Sequence, residues 1–339
     1  MDALSDVLRV IRMKGGVFLQ AEFSAPWCIS SRVGPDEREA LLGGANHLVL
    51  YHYVVEGRLC AQLPGGRPIA IGAGEVFMLP HNDEHRLGSH LDLPPVPVGR
   101  LVEAPADGGL WRMKHGGGGE PTRIVCGFLG CERLEGNPLI DSLPSMLTFD
   151  TRQGRIAAWI EGSLAFAADE VSARRPGSAT VLTRLSELLF VEALRRYVED
   201  LQPEQTGWLA GLKDPIVSRA LSLLHGRLEE PWTVDDLGRE VGLSRSALAD
   251  RFTRLIGEPP MRYLARWRLQ VAAHDLRHSD EALARVARRV GYESEPAFNR
   301  AFKRAFGVPP ATWRRGGLKA RRDGTAPPHL TRKTRRTAR

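Results

Sequence analysis

The sequence predicts a multidomain α+β protein, with a β-barrel or β-sandwich domain followed by an all-α domain. Its 339 residues exceed the roughly 250–300 residues at which a single hydrophobic core stops growing. Short apolar runs bounded by Gly, Pro and Asp fill the first part, which is typical of β-strands, and apolar residues recur at helical spacing after residue 150. The formal net charge of +7 is unevenly divided, with −6 in residues 1–208, +6 in residues 209–315 and +7 in residues 316–339. We therefore expect any nucleic-acid contact in the C-terminal part.

The composition excludes several protein classes. The chain is 42% hydrophobic and 26% charged, as in ordinary globular proteins. It contains no apolar run near the 18–20 uncharged residues, roughly, that a membrane-spanning helix needs. The N-terminal stretch is interrupted by Asp2, Asp6, Arg9 and Arg12, which argues against a secretory signal. We expect a cytoplasmic, nucleoid-associated protein with no membrane partner.

The cysteines are too sparse for a disulfide scaffold, and their spacing matches no zinc-ribbon pattern. They are Cys28, Cys60, Cys126 and Cys131. We expect reduced and mostly buried thiols. Cys28, which follows Trp27, is either a reactive thiol or an inert one, and the inert interpretation is favoured because reactivity requires exposure and a lowered pKa.

Residues 1–150 are expected to form the β-domain. The predicted strands include His47–Val55, Leu59–Leu63, Glu75–Leu79 and Arg123–Leu129, each bounded by turn residues. Several short strands at this spacing are typical of a sandwich or barrel.

Residues 151–207 are expected to be helical. The apolar spacing predicts helices over Arg155–Val171 and Thr180–Leu201. Two interpretations stay open: both helices cover the β-domain, or the longer one carries a homodimer seam.

A helix-turn-helix pattern occupies residues 233–256. A short helix with Leu237 and Val241 inside is followed by Gly242 at a tight turn and by a second helix with Leu248 and Phe252 inside. Gly238 is a small residue where the two helices cross, and Leu243 fills the corner between them. Asp235 and Ser244 are the expected N-caps of the two helices.

The same pattern returns over residues 281–307, with Gly291 at the turn and Phe298 and Phe302 inside the second helix. A helix over Pro260–Leu276 separates the two patterns and spans roughly 26 Å. It could place the second helices about one turn of B-DNA apart, near 34 Å.

The run GYESEPAFNRAFKRAFGVPP at residues 291–310, closed by Trp313 and Arg314, resembles the signature of the AraC/XylS family of bacterial transcription regulators. The resemblance implies an AraC-type DNA-binding domain over residues 208–315 that reads promoter DNA. Residues 316–339 are expected to be a basic disordered tail.

The faces of the two second helices indicate which side chains contact double-stranded DNA. By similarity to the family, Ser246, Ala249 and Asp250, with Arg245 beside them, face the bases in the first unit. In the second unit Asn299 and Arg300 face the bases, and Pro296 lies near the start of the helix as a further DNA-binding candidate. Phosphate contacts are expected from Arg251, Arg254, Lys303 and Arg304. The alternative for each charged residue is a solvated helix surface.

The run from Gly74 to His85 is similar to the second cupin motif, and Tyr51–Gly57 looks like the end of the first. The resemblance implies a cupin-like jelly-roll barrel that senses an effector. Leu50 stands where cupin enzymes carry a carboxylate, which argues against catalysis. His52, His81 and His85 are either a three-imidazole site for a divalent metal or barrel-lining histidines satisfied by hydrogen bonds.

These features predict a sequence-specific, homodimeric transcription factor that responds to an unidentified small-molecule or redox effector. RNA polymerase is a further candidate partner, and activation and repression both stay open. Two alternatives belong to other classes: a metal-dependent cupin enzyme with an accessory DNA-binding module, and a general nucleoid-binding protein.

Overall fold

The computed structural model describes most of the chain. The described residues are 2–11, 13–15, 19–34, 47–103, 111–131, 137–152, 159, 162–163, 166, 170 and 177–322. None of the helices in these ranges is both long and apolar enough to cross a membrane. The predicted helix Arg155–Val171 and the end of the predicted tail, residues 323–339, fall mainly or wholly outside the described residues.

The predicted strands are confirmed, with ends that shift by one or two residues. Within the described ranges the strands are β1 Lys14–Gly15, β2 Leu19–Ser24, β3 Cys28–Ser31, β4 His47–Glu56, β5 Arg58–Gln62, β6 Ile69–Gly72, β7 Glu75–Leu79, β8 His85–Gly88, β9 Val96–Pro97, β10 Val102–Glu103, β11 Trp111–Gly116, β12 Pro121–Cys131 and β13 Leu147–Asp150.

The strands form two sheets. The first has the order β10-β11-β2-β12-β4-β7-β13, with β1 also paired to β12, and the second has the order β6-β5-β8-β3-β9. Neighbours are antiparallel except for the pairs β11/β2 and β3/β9. The two sheets enclose an apolar core and are not closed into a barrel, so the predicted jelly roll is confirmed as an open sandwich.

The central strands β4 and β12 of the first sheet are buried on both faces, and since successive side chains of a strand point to opposite sides, they contribute to two different cores. On β12, Ile124 and Phe128 belong to the core between the sheets, whereas Val125 and Leu129 belong to the core under the helices. On β4, Leu50 faces the inner core and Tyr51 the helices.

The C-terminal half is helical, as predicted. Within the described ranges the α-helices with defined bounds are α1 Ala3–Ile11, which precedes the strands, and then α2 Ser178–Asp200, α3 Trp208–Lys213, α4 Pro215–Gly226, α5 Val234–Val241, α6 Arg245–Ile256, α7 Pro260–His278, α8 Leu283–Arg289, α9 Glu295–Phe306 and α10 Pro310–Arg322. Helix α10 continues to Arg322, so the first seven residues of the predicted disordered tail are helical instead.

Helix α1 packs against the C-terminal helices α4 and α7, and α2 covers the outer face of the first sheet. Leu182, Leu189 and Phe190 of α2 are buried there, so this helix does cover the β-domain, and the dimer seam stays a prediction. Val7 and Ile11 of α1 belong to the same continuous core as residues of α4 and α7. One apolar core therefore extends from the N-terminal domain into the helical half.

Candidate nucleic-acid interface

The first helix-turn-helix unit is formed by α5 and α6. Gly242 ends α5 in the left-handed conformation, with φ +74°, and a Cβ on Gly238 would lie 2.7 Å from the Leu243 carbonyl oxygen. The Leu243 amide donates to the Gly238 carbonyl at 2.9 Å. Both glycines are therefore required by the geometry of the turn.

The N-caps of this unit differ in part from the prediction. Ser244 caps α6, since its Oγ accepts from the Ala247 amide at 3.3 Å. The cap of α5 is Thr233 and not Asp235: the Asp236 amide donates to the Thr233 hydroxyl at 3.1 Å, and the Asp236 carboxylate accepts from the Thr233 amide at 3.2 Å. The prediction of Asp235 was wrong because the helix begins at Val234, two residues before the start that a cap at Asp235 would give.

The second unit, α8 and α9, repeats this geometry. Gly291 has φ +77°, and the Tyr292 amide donates to the Ala287 carbonyl at 2.9 Å, as Leu243 does in the first unit. Ser294 caps α9 through the Ala297 amide, and Phe298 and Phe302 are buried beneath the helix. We call α6 and α9 the reading helices.

On α6, Arg245, Ser246, Asp250 and Arg254 are exposed and Ala249 is half-buried. Arg245 forms an ion pair with Asp235 at 3.4 Å. The predicted base-facing residues therefore share one accessible face of the helix.

Arg251 lies differently from the prediction. Its Nη2 donates to Asp214 Oδ2 at 2.6 Å, and its Nε lies 3.0 Å from Oδ2 and 3.2 Å from Oδ1. The guanidinium is therefore directed at a carboxylate of the protein, and this geometry does not support the predicted phosphate contact. A partner 37 residues away could not be found by inspection of helix faces.

On α9, Pro296, Arg300, Lys303 and Arg304 are exposed and Asn299 is half-buried. Within the described part of the chain, none of the three cations of this helix forms a salt bridge. On α6, by contrast, Arg245 and Arg251 pair with Asp235 and Asp214. Helix α9 therefore presents more unpaired positive charge to solvent than α6 does.

The N-terminal domain holds a second cluster of interest. His52 lies between the sheets, with Nδ1 3.0 Å from Cys126 Sγ and its ring stacked on Phe77 at 4.6 Å. The His85 ring is 5.5 Å from that of His52, and its Nδ1 donates to the Asp83 carbonyl at 3.0 Å. The Nε2 atoms of both histidines are buried without a hydrogen-bond partner.

Burial lowers the pKa of His52 well below its usual value, and repulsion from His85 adds to this. Burial also lowers the pKa of His85, against opposing contributions from Asp83 and Glu84. Both rings are therefore neutral at pH 7, which suits hydrogen bonding or metal ligation.

The third predicted metal ligand lies elsewhere. His81 Nε2 is 3.0 Å from the Leu143 carbonyl, and its ring is 6.2 Å from that of His47. Among the described residues, no three His, Cys, Asp or Glu side chains are grouped so as to hold a metal ion. Cys28 is buried, and burial raises its pKa, which agrees with an inert thiol.

Comparison with known proteins matches both parts of the chain. The cupin family matches residues 2–199, and a helix-turn-helix domain family matches residues 237–316. An AraC-like transcription regulator of Streptomyces lividans is 31% identical, over 93% of this chain and 98% of its own length. The transcriptional regulator AlkR of Acinetobacter baylyi is 27% identical, over 93% of this chain and 99% of its own.

This chain belongs to the AraC family of transcription regulators. Among solved structures, an AraC-type regulator from Chromobacterium violaceum is 28% identical, with a TM-score of 0.30, and the match covers 31% of this chain and 94% of that one.

In this AraC-family regulator, a helix-turn-helix domain binds DNA and a cupin-type domain precedes it. The two helix-turn-helix units are joined by α7, whose 19 residues span about 28 Å. Arg268 of α7 donates to the carbonyls of Leu228 and Glu230, at 2.8 and 2.6 Å, and its guanidinium lies against Gly291. Arg268 thus holds the loop before the first unit against the turn of the second.

Sequence inspection missed three residues that build the interface of this AraC-family regulator: Asp214, Thr233 and Arg268. A Thr three residues before Asp236 was a readable capping signal. The contacts of Asp214 and Arg268 carry no such local signal, because their partners are distant along the chain.

Proposed function

We propose that this regulator binds promoter DNA with both units, each placing its reading helix in a major groove. The repeated turn geometry carries the proposal, since each unit joins the same two backbone positions by a 2.9 Å hydrogen bond and leaves its second helix accessible. The proposal divides the chain into residues 1–150 for sensing, 151–207 for linkage, 208–315 for DNA binding and 316–339 as a basic tail.

Base recognition is proposed for the accessible side chains of both reading helices. The Arg300 guanidinium suits the paired acceptors of guanine, and the Asn299 amide suits adenine. The remaining base-facing candidates are Arg245, Ser246, Ala249, Asp250 and Pro296. Phosphate contacts are proposed for Arg254, Lys303 and Arg304, because none of the three has a carboxylate partner among the described residues.

The cupin-type domain is proposed to sense a small-molecule or redox effector and not to act as an enzyme. Two observations support this. Leu50, where cupin enzymes carry a carboxylate, is buried in the inner core. His52 and His85 present neutral, unpartnered Nε2 atoms between the sheets, where a polar effector would satisfy them.

A divalent metal at His52, His81 and His85 stays a prediction. The orphaned Nε2 atoms of His52 and His85 fit two of the ligands, but His81 is held on the Leu143 carbonyl, so the described residues do not supply the third. Metal analysis of the purified protein and of a His52→Ala/His85→Ala variant tests this site.

A homodimer is proposed as the DNA-binding form, with α2 as one surface that could join two copies. Leu188 on α2 is 49% exposed, although the opposite face of the helix is buried on the sheet. Effector binding would then shift the population between arrangements of the DNA-binding domains, in the cytoplasm and on the nucleoid, and contact with RNA polymerase would follow.

Selection from a random-sequence DNA pool by the purified full-length chain tests the function. We expect enrichment of a sequence with two half-sites about one helical turn apart. Binding to the enriched duplex should exceed binding to random DNA by about 10³-fold or more at 150 mM salt. Equal binding to both duplexes would indicate a general nucleoid-binding protein instead.

A further inference from the structure

A short segment, residues 207–214, lies between the N-terminal domain and the first reading helix. We call it the junction segment. The Trp208 amide donates to Ser142 Oγ at 3.1 Å. Lys213 Nζ donates to the carbonyls of Glu199 and Leu201 at 2.7 and 2.6 Å, at the C-terminal end of α2. Both ends of the segment are therefore hydrogen-bonded to the N-terminal part of the chain, one end to Ser142 and the other to the end of α2.

The junction segment also contacts the first reading helix directly. The Gly207 amide donates to the Leu255 carbonyl at 2.7 Å, in the last turn of α6. A Cβ on Gly211 would overlap the side chain of Ile256, so α3 and α6 approach each other closely. A displacement of α3 must therefore displace the end of α6.

Asp214, the last residue of the junction segment, forms a salt bridge with Arg251 of α6. Both oxygens of Asp214 accept from Arg251, with a shortest distance of 2.6 Å, and Oδ1 also accepts from the amides of Ile216 and Val217 at 3.0 and 2.9 Å. The Asp214 side chain is 16% exposed. Burial raises the pKa of Asp214, but the hydrogen bonds from Arg251 and the two amides outweigh it, and the pKa is lowered.

The second unit is fastened in another way. Arg289 of α8 pairs with Asp275 at 2.6 Å and with Glu281 at 2.7 Å, so its ion pairs join this unit to the end of α7 and not to the junction segment. The two reading helices thus differ in how directly they are connected to the N-terminal domain.

We propose that the junction segment transmits the state of the N-terminal domain to the first reading helix, and that Asp214 and Arg251 are positioning residues for base recognition by α6. The inference rests on the proposed DNA-binding function. A shift of Ser142 or of the end of α2 moves the junction segment, and the bidentate Asp214–Arg251 pair carries the shift into α6. Regulation then acts on the half-site bound by α6, while α9 holds the other half-site.

The test uses the duplex enriched by the full-length chain, and two derivatives in which one half-site is scrambled. Arg300→Ala identifies the half-site bound by α9. Asp214→Asn keeps a side-chain oxygen for capping and removes the charge. We expect its preference for the intact α6 half-site to fall roughly tenfold, with the α9 half-site preference unchanged.

Asp275→Asn is the matched control, because it removes an aspartate–arginine pair of the same length from the second unit. We expect it to leave the α6 half-site preference unchanged. Arg251→Gln should resemble Asp214→Asn, and the double variant should be no worse than either single variant if the two side chains act as a unit.

Lys213→Met tests the connection to α2. We expect it to lower the α6 half-site preference in the same direction, and Lys213→Arg to restore most of it, because Arg can again donate to the helix carbonyls. Thermal unfolding of every variant reports on folding, and Arg251→Lys replaces Asp214→Asn if that variant does not fold.

The outcomes separate two failures. If no sequence is enriched, or if the enriched duplex binds no more tightly than random DNA, the proposed function fails and the inference fails with it. If a two-part site is enriched but Asp214→Asn lowers both half-site preferences equally, or neither, only the inference is overturned.

Discussion

The Tyr51 hydroxyl lies 2.8 Å from Ser186 Oγ, and this hydrogen bond joins strand β4 to helix α2 across a fully buried interface. Ser186 Oγ donates its own proton to the Leu182 carbonyl at 2.8 Å, so Tyr51 is the donor of the pair. His52, the next residue of the strand, points to the opposite side, between the sheets. His52, beside which the effector is proposed to bind, is therefore adjacent along β4 to the residue that contacts α2.

Tyr51→Phe is expected to lower the free energy of unfolding by about 1 kcal/mol, because one buried hydrogen bond is lost while the ring is retained. Ser186→Ala should cost more, roughly 1–3 kcal/mol, since it leaves the buried Tyr51 hydroxyl without this acceptor. Urea unfolding followed by circular dichroism measures both. Equal stability of the wild type and Tyr51→Phe would show that the hydrogen bond contributes nothing.

Gly291→Ala is expected to be more destabilising than Gly242→Ala, although both residues occupy equivalent turns. Their φ angles are +77° and +74°, so in both variants an alanine must adopt the left-handed conformation, which costs about 1–2 kcal/mol of folding free energy. At Gly291 the new Cβ would stand 2.5 Å from Arg268 Cζ and 2.6 Å from the Leu228 carbonyl oxygen, whereas at Gly242 nothing lies within 4 Å.

The expected difference between the two glycine variants is roughly 1–3 kcal/mol, the usual range for overpacking. Urea midpoints of the two variants, compared with that of the wild type, measure it. Similar midpoints for the two would mean that Arg268 and the Leu228 carbonyl both move away from the new Cβ at little cost, so that their contact with Gly291 does not hold the two units together.

The sequence predicted the helix-turn-helix units well because their determinants are local. Gly242 and Gly291 mark the turns, and Phe252 and Phe302 mark the buried faces, through spacing alone. The strands were predictable for the same reason, since alternation and turn residues are short-range signals.

Contacts between distant residues were not predictable in this way. The pairing of Arg251 with Asp214 and the separation of His81 from His52 depend on how elements pack, and a single sequence contains no periodic signal for packing. The cap at Thr233 was missed for a different reason, since the adjacent Asp235 and Asp236 both suit a helix start.

The stability of the DNA-binding domain is expected to fall as the pH is lowered through the range set by His225. Its Nε2 is hydrogen-bonded to the Tyr263 hydroxyl at 2.7 Å, and that hydroxyl accepts from Trp208 Nε1 at 2.8 Å. Burial lowers the pKa of His225 from 6.5 to about 3. The unfolded chain therefore binds a proton at a pH where the folded chain does not.

The contribution of His225 is fully present above pH 6.5 and is lost as the pH falls toward 3. Its slope is about 1.4 kcal/mol per pH unit for one proton. The lowered pKa values of His52 and His85 have the same effect on the stability of the N-terminal domain. His225→Phe should flatten the dependence of the unfolding free energy between pH 7 and pH 5. An unchanged slope in this variant would show that His225 is not the group that titrates.

Arg300→Ala is expected to relax the preference for one base pair of the enriched duplex and to cost about 1–3 kcal/mol of specific binding. Lys303→Ala is the matched control on the same exposed face of α9. It should weaken binding to all sequences similarly and reduce the slope of log K against log salt by about one unit. Anisotropy titrations at several salt concentrations, with the enriched duplex and single-base variants of it, distinguish the two roles. Equal loss of specific and random-DNA affinity in Arg300→Ala would reassign Arg300 from base recognition to phosphate binding, and α9 would then hold the DNA without reading it through this residue.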